Sequence, residues 1–274
     1  MMIDIESAGI TDIGKCREGN EDAILIDDDI GLYIVADGVG GHKAGEVASH
    51  LVVENMSHTI KKLTSGDSAG ELMDPDPTLS SAANRLLSSI HIANRDIHMS
   101  SNSIEDYHGM GSTVSAVYFA DESLIAANVG DSPIYLIRNG TIDLLSKPHT
   151  FLADQVLTGH DGTQQTGNAL KHVLTQAMGI EQTVTAEVYE IQWFPDDIVV
   201  ICSDGLSNKL CPDEIAKIVT GERPNISCRS LIHLANERGG DDNITVIVLT
   251  VNKAKKIKRR ISRLVSKIFS EEMR

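Results

Sequence analysis

Four apolar, strand-like segments of the chain end or begin at an aspartate that lies beside a small or turn-forming residue. Carboxylates at the ends of core strands lie on the rim of a rigid sheet, where several of them can converge into a site built from oxygen atoms alone. Such a site suits a hard divalent cation, Mg²⁺ or Mn²⁺, whereas zinc prefers histidine and cysteine. The four segments contain Asp37-Gly38, Gly130-Asp131, Asp204-Gly205 and Gly240-Asp241-Asp242.

The two Asp-Gly pairs and Asp242 carry most of this chemistry. One carboxylate can bridge two cations through its two oxygens, and a glycine has no Cβ, so its carbonyl can turn toward a metal. A water held between two cations loses a proton near neutral pH, and the same two charges stabilise an in-line displacement at phosphorus. The pattern therefore favours a two-metal centre for phosphoester hydrolysis that includes Asp37, Gly38 and Asp204 beside Asp242.

Arg17 precedes a predicted strand, in a segment that also contains Glu21 and Asp22. A guanidinium binds a phosphate dianion through two parallel hydrogen bonds, so we expect Arg17 to bind the substrate phosphate. Glu21 and Asp22 are not expected to bind the metals directly, but to hold metal-bound waters. Each motif alone has an ordinary explanation, because an Asp-Gly pair is usually a turn and an arginine near carboxylates is usually a surface ion pair. Their conjunction at strand ends is the stronger argument.

The composition is that of a globular protein with an acidic body. The 274 residues are 41% hydrophobic and only 4% aromatic, so we expect a core of Val, Ile, Leu and Ala. The formal net charge is −15; residues 253–274 carry +7, which leaves −22 on the first 252 residues. An acidic body argues against a nucleic-acid groove and suits a protein that concentrates divalent cations.

Several features predict a cytoplasmic location. Cys16, Cys202, Cys211 and Cys228 show no paired CxxC spacing, so we interpret them as reduced thiols. The N-terminus lacks the basic start and apolar stretch of a signal peptide. No run of 18 apolar residues is present that would span a membrane.

The spacing of apolar residues predicts an α+β fold, with residues 1–252 as one domain. Short connections between strands imply antiparallel pairing, and strands clustered in hairpins argue against a doubly wound sheet. We expect two packed sheets with helices outside, and a short helix with a mobile loop at 147–180. The predicted strands are 5–11, 23–27, 32–36, 113–119, 123–129, 133–138, 184–192, 197–203 and 243–251, and the predicted helices are 44–63, 79–99, 212–219 and 226–237.

Residues 253–274 are predicted to form a basic amphipathic helix. Two interpretations stay open: the helix docks on the acidic body, or it attaches to an anionic membrane surface or an acidic partner. Its apolar face consists of Ile257, Ile261, Leu264, Val265 and Ile268.

Six motifs, in this order along residues 17–250, resemble those of the metal-dependent protein phosphatases (PPM), the type 2C serine/threonine phosphatases, in their bacterial form. They are Arg17-x-x-Asn20-Glu21-Asp22, Val35-Ala36-Asp37-Gly38-Val39-Gly40-Gly41-His42-x-Ala44-Gly45-Glu46, Met110-Gly111-Ser112-Thr113, Val129-Gly130-Asp131-Ser132, Ser203-Asp204-Gly205-Leu206 and Gly240-Asp241-Asp242-Asn243-Ile244-Thr245. The resemblance implies a four-layer αββα sandwich of two antiparallel β-sheets flanked by helices.

The resemblance also implies an activity. A metal-bridging hydroxide would attack phosphoserine or phosphothreonine directly, with two Mn²⁺ or Mg²⁺ ions bridged by Asp37. Gly38, Asp204 and Asp242 would complete the coordination, and Arg17 would hold the phosphate. The partners would be phosphorylated proteins, the substrates of a serine/threonine kinase, and we expect a monomer.

The sequence departs from the family pattern near these motifs. Asp131 matches the carboxylate that helps bind a third metal in many members, but Asn208 stands where many have an aspartate. Val39 stands where eukaryotic members often have a histidine proposed as general acid, and Pro133 replaces the usual arginine.

Two alternatives from other classes stay open at this point. One is a catalytically silent relative that acts as a binding or regulatory module, although the presence of all three metal-site aspartates argues against it. The other is a metal-dependent hydrolase of a small phosphorylated molecule.

Overall fold

The computed structural model describes residues 4–40, 43–65, 72–120, 122–151, 153 and 173–252. The helix predicted at 253–274 and most of the loop predicted within 147–180 lie outside these residues. The strands are β1 (Asp4–Asp12), β2 (Asp22–Asp27), β3 (Leu32–Val39), β4 (Gly111–Ser112), β5 (Val114–Ala120), β6 (Ser123–Val129), β7 (Ile134–Arg138), β8 (Thr141–Leu144), β9 (Glu187–Gln192), β10 (Ile198–Cys202) and β11 (Ile244–Asn252). The helices wholly within the described residues are α1 (Lys43–Thr64), α2 (Ser81–Ser103), α3 (Asp204–Ser207), α4 (Pro212–Val219) and α5 (Pro224–Glu237).

The strands form two antiparallel sheets. One has the order β1-β11-β10-β7-β8, and the other has the order β2-β3-β5-β6-β9 with the short β4 paired to β3. Every strand pairing recorded within the sheets is antiparallel. The predicted α+β class with two antiparallel sheets is confirmed.

The central strands are apolar on both faces because each sheet lies between a helix layer and the other sheet. Successive side chains of a strand point to opposite faces. In β11, Val246 and Val248 pack toward α4 and α5, whereas Ile247 and Leu249 pack toward the second sheet. The two sheets therefore share an inner core, in which Tyr33 of the second sheet lies fully buried.

The two long helices cover the outer face of the second sheet. The six apolar residues that recur at helical spacing along α2 are all buried: Ala83, Leu86, Leu87, Ile90, Ala93 and Ile97. The helix begins two residues later than predicted because Ser80 is the N-cap, whose hydroxyl accepts a hydrogen bond from Ala83 N. Helices α4 and α5 cover the other sheet in the same way. None of the described helices is long and apolar enough to cross a bilayer.

Strands β4 and β8 and helix α3 are among the short elements that were not predicted. Strand β8 follows the Asn139-Gly140 turn, in which both residues have positive φ, and it lies mostly exposed at the edge of its sheet, so its sequence carries little apolar alternation. Strand β4 has only two residues and α3 only four, which is too short for a periodic signal.

All four cysteines are free. Cys202 and Cys228 are buried in the core, and burial raises the pKa of Cys228 to about 12. Cys16 and Cys211 are exposed.

Candidate functional site

A cavity of about 750 Å³ lies where β3, β6 and β10 end and β11 begins. Its described lining contains one basic residue, Arg17, against seven carboxylates. Such a ratio gives the cavity a strongly negative field, which attracts cations. The seven acidic residues are Glu18, Glu21, Asp37, Glu46, Asp131, Asp204 and Asp242.

The backbone of Asp37 is held from two sides. Its N–H donates to Thr113 Oγ1 at 3.1 Å, and its carbonyl accepts from Thr113 N at 2.8 Å and from Ser112 Oγ at 3.0 Å. Thr113 Oγ1 lies 2.9 Å from Ser132 Oγ, in the segment that follows Asp131. These bonds fix the end of β3 relative to the end of β6, so Asp37 and Asp131 project into the same cavity from a rigid base.

The glycine of each Asp-Gly pair lies where the backbone approaches another segment. A Cβ on Gly38 would overlap the carbonyl oxygens of Gly45 and Glu21, and one on Gly205 would overlap the carbonyl of Asn243. Close approach therefore requires glycine at both positions. This reason differs from the predicted one, which concerned the freedom of the Gly38 carbonyl.

Asn243 ties the arginine loop to the start of β11. Its side chain accepts a hydrogen bond from Glu21 N at 2.8 Å and donates to the carbonyls of Ile13, at 3.0 Å, and Gly19, at 2.9 Å. Arg17, in the loop between these contacts, donates from Nη2 to Asp242 Oδ2 at 2.8 Å. The loop thus presents its guanidinium beside the carboxylates.

Burial and mutual repulsion disfavour the ionised carboxylates. The pKa of Asp37 is raised well above its ordinary value, first by burial and then by the neighbouring aspartates at 22, 204, 131 and 242. Burial raises the pKa of Asp22 to about 7 despite hydrogen bonds from Thr245 and Ser203. Burial and Asp204 raise the pKa of Asp131 to about 7. A bound cation would reverse this balance, because an opposite charge favours the ionised form.

The donor set fits hard divalent cations. It consists of carboxylates and backbone carbonyls, which suit Mg²⁺ and Mn²⁺. Asp22 Oδ1 is also buried without a hydrogen-bond partner, and a bound water or ion would satisfy such an atom. Within the described part of the chain, however, no three His, Cys, Asp or Glu side chains are already gathered into a complete ligand set. The carboxylates line a common cavity at wider spacing.

Seven of the eight predicted site residues line this cavity. The exception is Asp22, which is 4% exposed, pairs with Asp37 across β2 and β3, and accepts a 2.8 Å hydrogen bond from Ser203 Oγ. It lies behind the cavity, whereas Glu21 faces it. The seven are Arg17, Glu21, Asp37, Gly38, Asp131, Asp204 and Asp242.

Sequence reasoning did not assign the polar residues that hold these side chains, namely Thr113, Ser132, Ser203 and Asn243. Each belongs to a motif that was recognised, and three of them are direct neighbours of a site aspartate. That adjacency was the available signal. Asn208, one of the noted departures, is exposed and donates to Asp204 Oδ2 at 3.2 Å.

An αββα sandwich with a carboxylate-lined cavity at the ends of its strands is the architecture of metal-dependent protein phosphatases. Comparison with known proteins agrees with that class. The sequence profile of the protein phosphatase 2C family matches residues 17–228. The serine/threonine phosphatase stp of Listeria welshimeri is 32% identical, over 90% of this chain and 96% of that protein.

Solved structures are similar as well. The serine/threonine phosphatase of S. agalactiae is 33% identical, with a TM-score of 0.78 over 91% of this chain and all of that one. The catalytic domain of the serine threonine protein phosphatase PstP, solved with two manganese ions, is 29% identical, with a TM-score of 0.76 over 92% of this chain and all of that one. The chain belongs to the protein phosphatase 2C family, the metal-dependent serine/threonine protein phosphatases.

Proposed function

We propose that this chain hydrolyses phosphoserine and phosphothreonine in proteins, with two Mn²⁺ or Mg²⁺ ions held by Asp37, Gly38, Asp204 and Asp242. The observation that carries the proposal is that three aspartates from distant parts of the chain line one cavity whose described lining has a single basic residue. The two manganese ions in PstP support a centre with two ions.

When bound, the cations would supply an ionised water as nucleophile and positive charge for the transferred phosphoryl group. Asp37 would hold the cations at the centre of this group, because its buried carboxylate lies near the aspartates whose charges raise its pKa. Thr113 holds the backbone of Asp37 and thereby limits how far this carboxylate can move.

Arg17 would bind the phosphate of the substrate. It already donates to Asp242 from the wall of the cavity, and its side chain is 46% exposed, so it can turn a second N–H toward an incoming oxygen. Glu21, which lies in the same loop as Arg17, would hold a metal-bound water. Asp22 lies behind the cavity and would act through its position opposite Asp37 in the pairing of β2 with β3.

A third ion would be held by Asp131. Burial and the charge of Asp204 raise the pKa of Asp131, and a cation held by Asp131 would favour its ionised form. Asn208 donates a hydrogen bond to Asp204 but is neutral, so it adds no negative charge to the site of this ion. Val39, which follows Gly38 and lines the cavity, has no proton to give, so the leaving group must be protonated by another group.

The substrates would be proteins phosphorylated by a serine/threonine kinase, and the chain would act as a monomer in the cytoplasm. We propose residues 1–252 as the phosphatase domain. The acidic cavity and the net charge of the body argue against nucleic acid as a partner.

The test of the metal centre combines turnover with stability. We expect Mn²⁺ to support hydrolysis of a phosphothreonine peptide and of an aryl phosphate, and a chelator to abolish both. Mn²⁺ at about 100 times its Kd should also raise Tm by about 5 °C or more, because it binds only the folded protein. Hydrolysis that persists in chelator would reject the metal centre. Turnover of the aryl phosphate alone would favour a small-molecule hydrolase, and a Tm shift without any turnover would favour a silent binding module.

For residues 253–274, which lie outside the described residues, we propose contact with an anionic membrane surface or an acidic partner, on the basis of their +7 charge and apolar face. Removing everything after Asn252 should abolish sedimentation with vesicles that contain anionic lipid, while turnover of an aryl phosphate stays within about twofold. Vesicles of neutral lipid are the control. Equal sedimentation of the full and shortened chains would reject the membrane contact.

A further inference from the structure

A second cavity, of about 390 Å³, adjoins the acidic one. The two cavities share Val39 and Leu174 in their walls. The second is lined further by Ala177, Ile180 and Val184 and by the polar residues Thr175, Gln176, Glu181 and Thr183, so five of its nine described lining residues are aliphatic. The two cavities therefore adjoin each other, but the lining of the first is mainly acidic and that of the second is more apolar.

Hydrogen bonds hold the wall of this second cavity in a fixed position. Asn94 of α2 accepts a hydrogen bond from Gly179 N at 2.7 Å and donates to the carbonyls of Glu181 and Gln182 at 3.1 and 3.2 Å. Met178 pairs with Ser112, whose hydroxyl also holds the carbonyl of Asp37. The segment is therefore fixed to α2 on one side and to the strand end that carries the metal site on the other.

Part of this wall is exposed aliphatic surface. Ile180 lines the cavity, lies against Gly111 and is 45% exposed. Exposed aliphatic side chains in a preformed cavity gain from contact with an apolar ligand group. Glu181 adds one negative charge to the lining, which repels an acidic group.

We propose that this cavity binds an aliphatic side chain of the phosphoprotein substrate, one or two residues from the phosphorylated serine or threonine. The inference rests on the proposed function, because the acidic cavity must hold the phosphoryl group for the neighbouring side chain to reach Ile180. In an extended peptide successive residues are about 3.3 Å apart and their side chains alternate in direction, so a residue close in sequence enters an adjoining cavity. The enzyme then selects substrates by a flanking aliphatic residue and rejects a flanking acidic one.

The test uses short phosphothreonine peptides in an alanine background. Leucine or aspartate is placed in turn at each of the two positions before and the two positions after the phosphothreonine, and kcat/KM is measured with Mn²⁺. At one of these positions we expect leucine to exceed aspartate by about tenfold or more, the usual discrimination of an aliphatic pocket. A ratio below about twofold at all four positions would overturn the inference.

Two variants locate the effect. Ile180→Asn should lower the leucine-to-aspartate ratio at that position by about threefold or more, because it removes apolar contact without adding charge, and Glu181→Lys should raise kcat/KM for the aspartate peptide. Ile226→Asn, at a residue of α5 that is 46% exposed, is the matched control and should keep the wild-type ratio. An unchanged ratio in Ile180→Asn would place the selection elsewhere and reject the proposal. The ratio cancels any general loss of activity. Failure of the wild-type protein to hydrolyse even an aryl phosphate would refute the proposed function instead.

Discussion

Replacement of Asp37 by asparagine is expected to lower kcat with Mn²⁺ by about 10³-fold, equivalent to about 4 kcal/mol of transition-state stabilisation. Asparagine is neutral, so its side chain would hold a divalent cation more weakly than the carboxylate would. The backbone bonds to Thr113 and Ser112 do not involve the side chain, so the variant should fold. Turnover of an aryl phosphate over a range of Mn²⁺ concentrations measures the effect.

Stability provides an independent readout for the same variant. Asp37 lies near other carboxylates, and burial together with their charges disfavours its ionised form. Removing that charge should raise the Tm of the metal-free protein by at least about 2 °C. The rise of Tm on addition of Mn²⁺ should shrink at the same time. A variant that is inactive yet gains the full wild-type Tm shift from Mn²⁺ would contradict the assignment of Asp37 as a metal ligand.

Asp241→Asn is the matched control for this experiment. Asp241 precedes Asp242, its side chain is 66% exposed, and it pairs with Lys209. It does not line the acidic cavity in the described structure. We expect activity and the Mn²⁺-dependent Tm shift to stay within about twofold of wild type, because a surface ion pair contributes little. Loss of activity as large as in Asp37→Asn would mean that the two charges act only through the general field of the acidic body.

Asn243→Ala is expected to cost about 2–4 kcal/mol of unfolding free energy and to lower kcat/KM by about 10²-fold. The alanine leaves Glu21 N and the carbonyls of Ile13 and Gly19 without their side-chain partner in a part-buried setting. The loop that carries Arg17 then loses its position, and a displacement of about 1 Å is enough for a loss of that size. Urea unfolding and kinetics measure the two effects.

A double-mutant cycle separates positioning from simple destabilisation. Arg17→Ala alone should cost about 10–100-fold in kcat/KM, because a charge-assisted hydrogen bond to phosphate is lost. In the Asn243→Ala background the same change should cost about threefold or less, since Arg17 is already misplaced. Equal costs in both backgrounds would mean that Asn243 contributes only to stability.

Asn236→Ala is the matched control for that cycle. Asn236 also donates from its side chain across the fold, but this 3.1 Å hydrogen bond goes to Asp12 Oδ1 and not to the segment that contains Arg17 and Glu21. It should lose about 1 kcal/mol of stability and leave the cost of Arg17→Ala unchanged.

The regular elements were predictable because their signals are local. Period-2 alternation and continuous apolar runs predicted the long strands, and β6 and α4 have the predicted bounds. The buried stripe of α2 follows from a period of 3.6 residues. Strand β8 was missed because an exposed edge strand has no buried face to pattern its sequence.

The site was predictable in part, because its ligand types are written into motifs. Carboxylates beside glycines at strand ends predicted an oxygen-lined site, and Arg17 was assigned beside it. The amino-acid types alone did not distinguish Asp22, which lies behind the cavity, from Glu21, which faces it. Strand register decides that difference, because consecutive residues at the start of a strand point to opposite sides.

The sequence by itself determined the layers of the sandwich, the acidic character of one end and the kind of ion that suits it. Tertiary structure alone decided which side chains meet: Arg17 and Asp242 are 225 positions apart, and Asn94 reaches Glu181 across 87 positions. No local pattern encodes such pairs, because they depend on how distant segments pack. The same packing builds the aliphatic cavity beside the metal site, since its wall takes its shape from hydrogen bonds to α2.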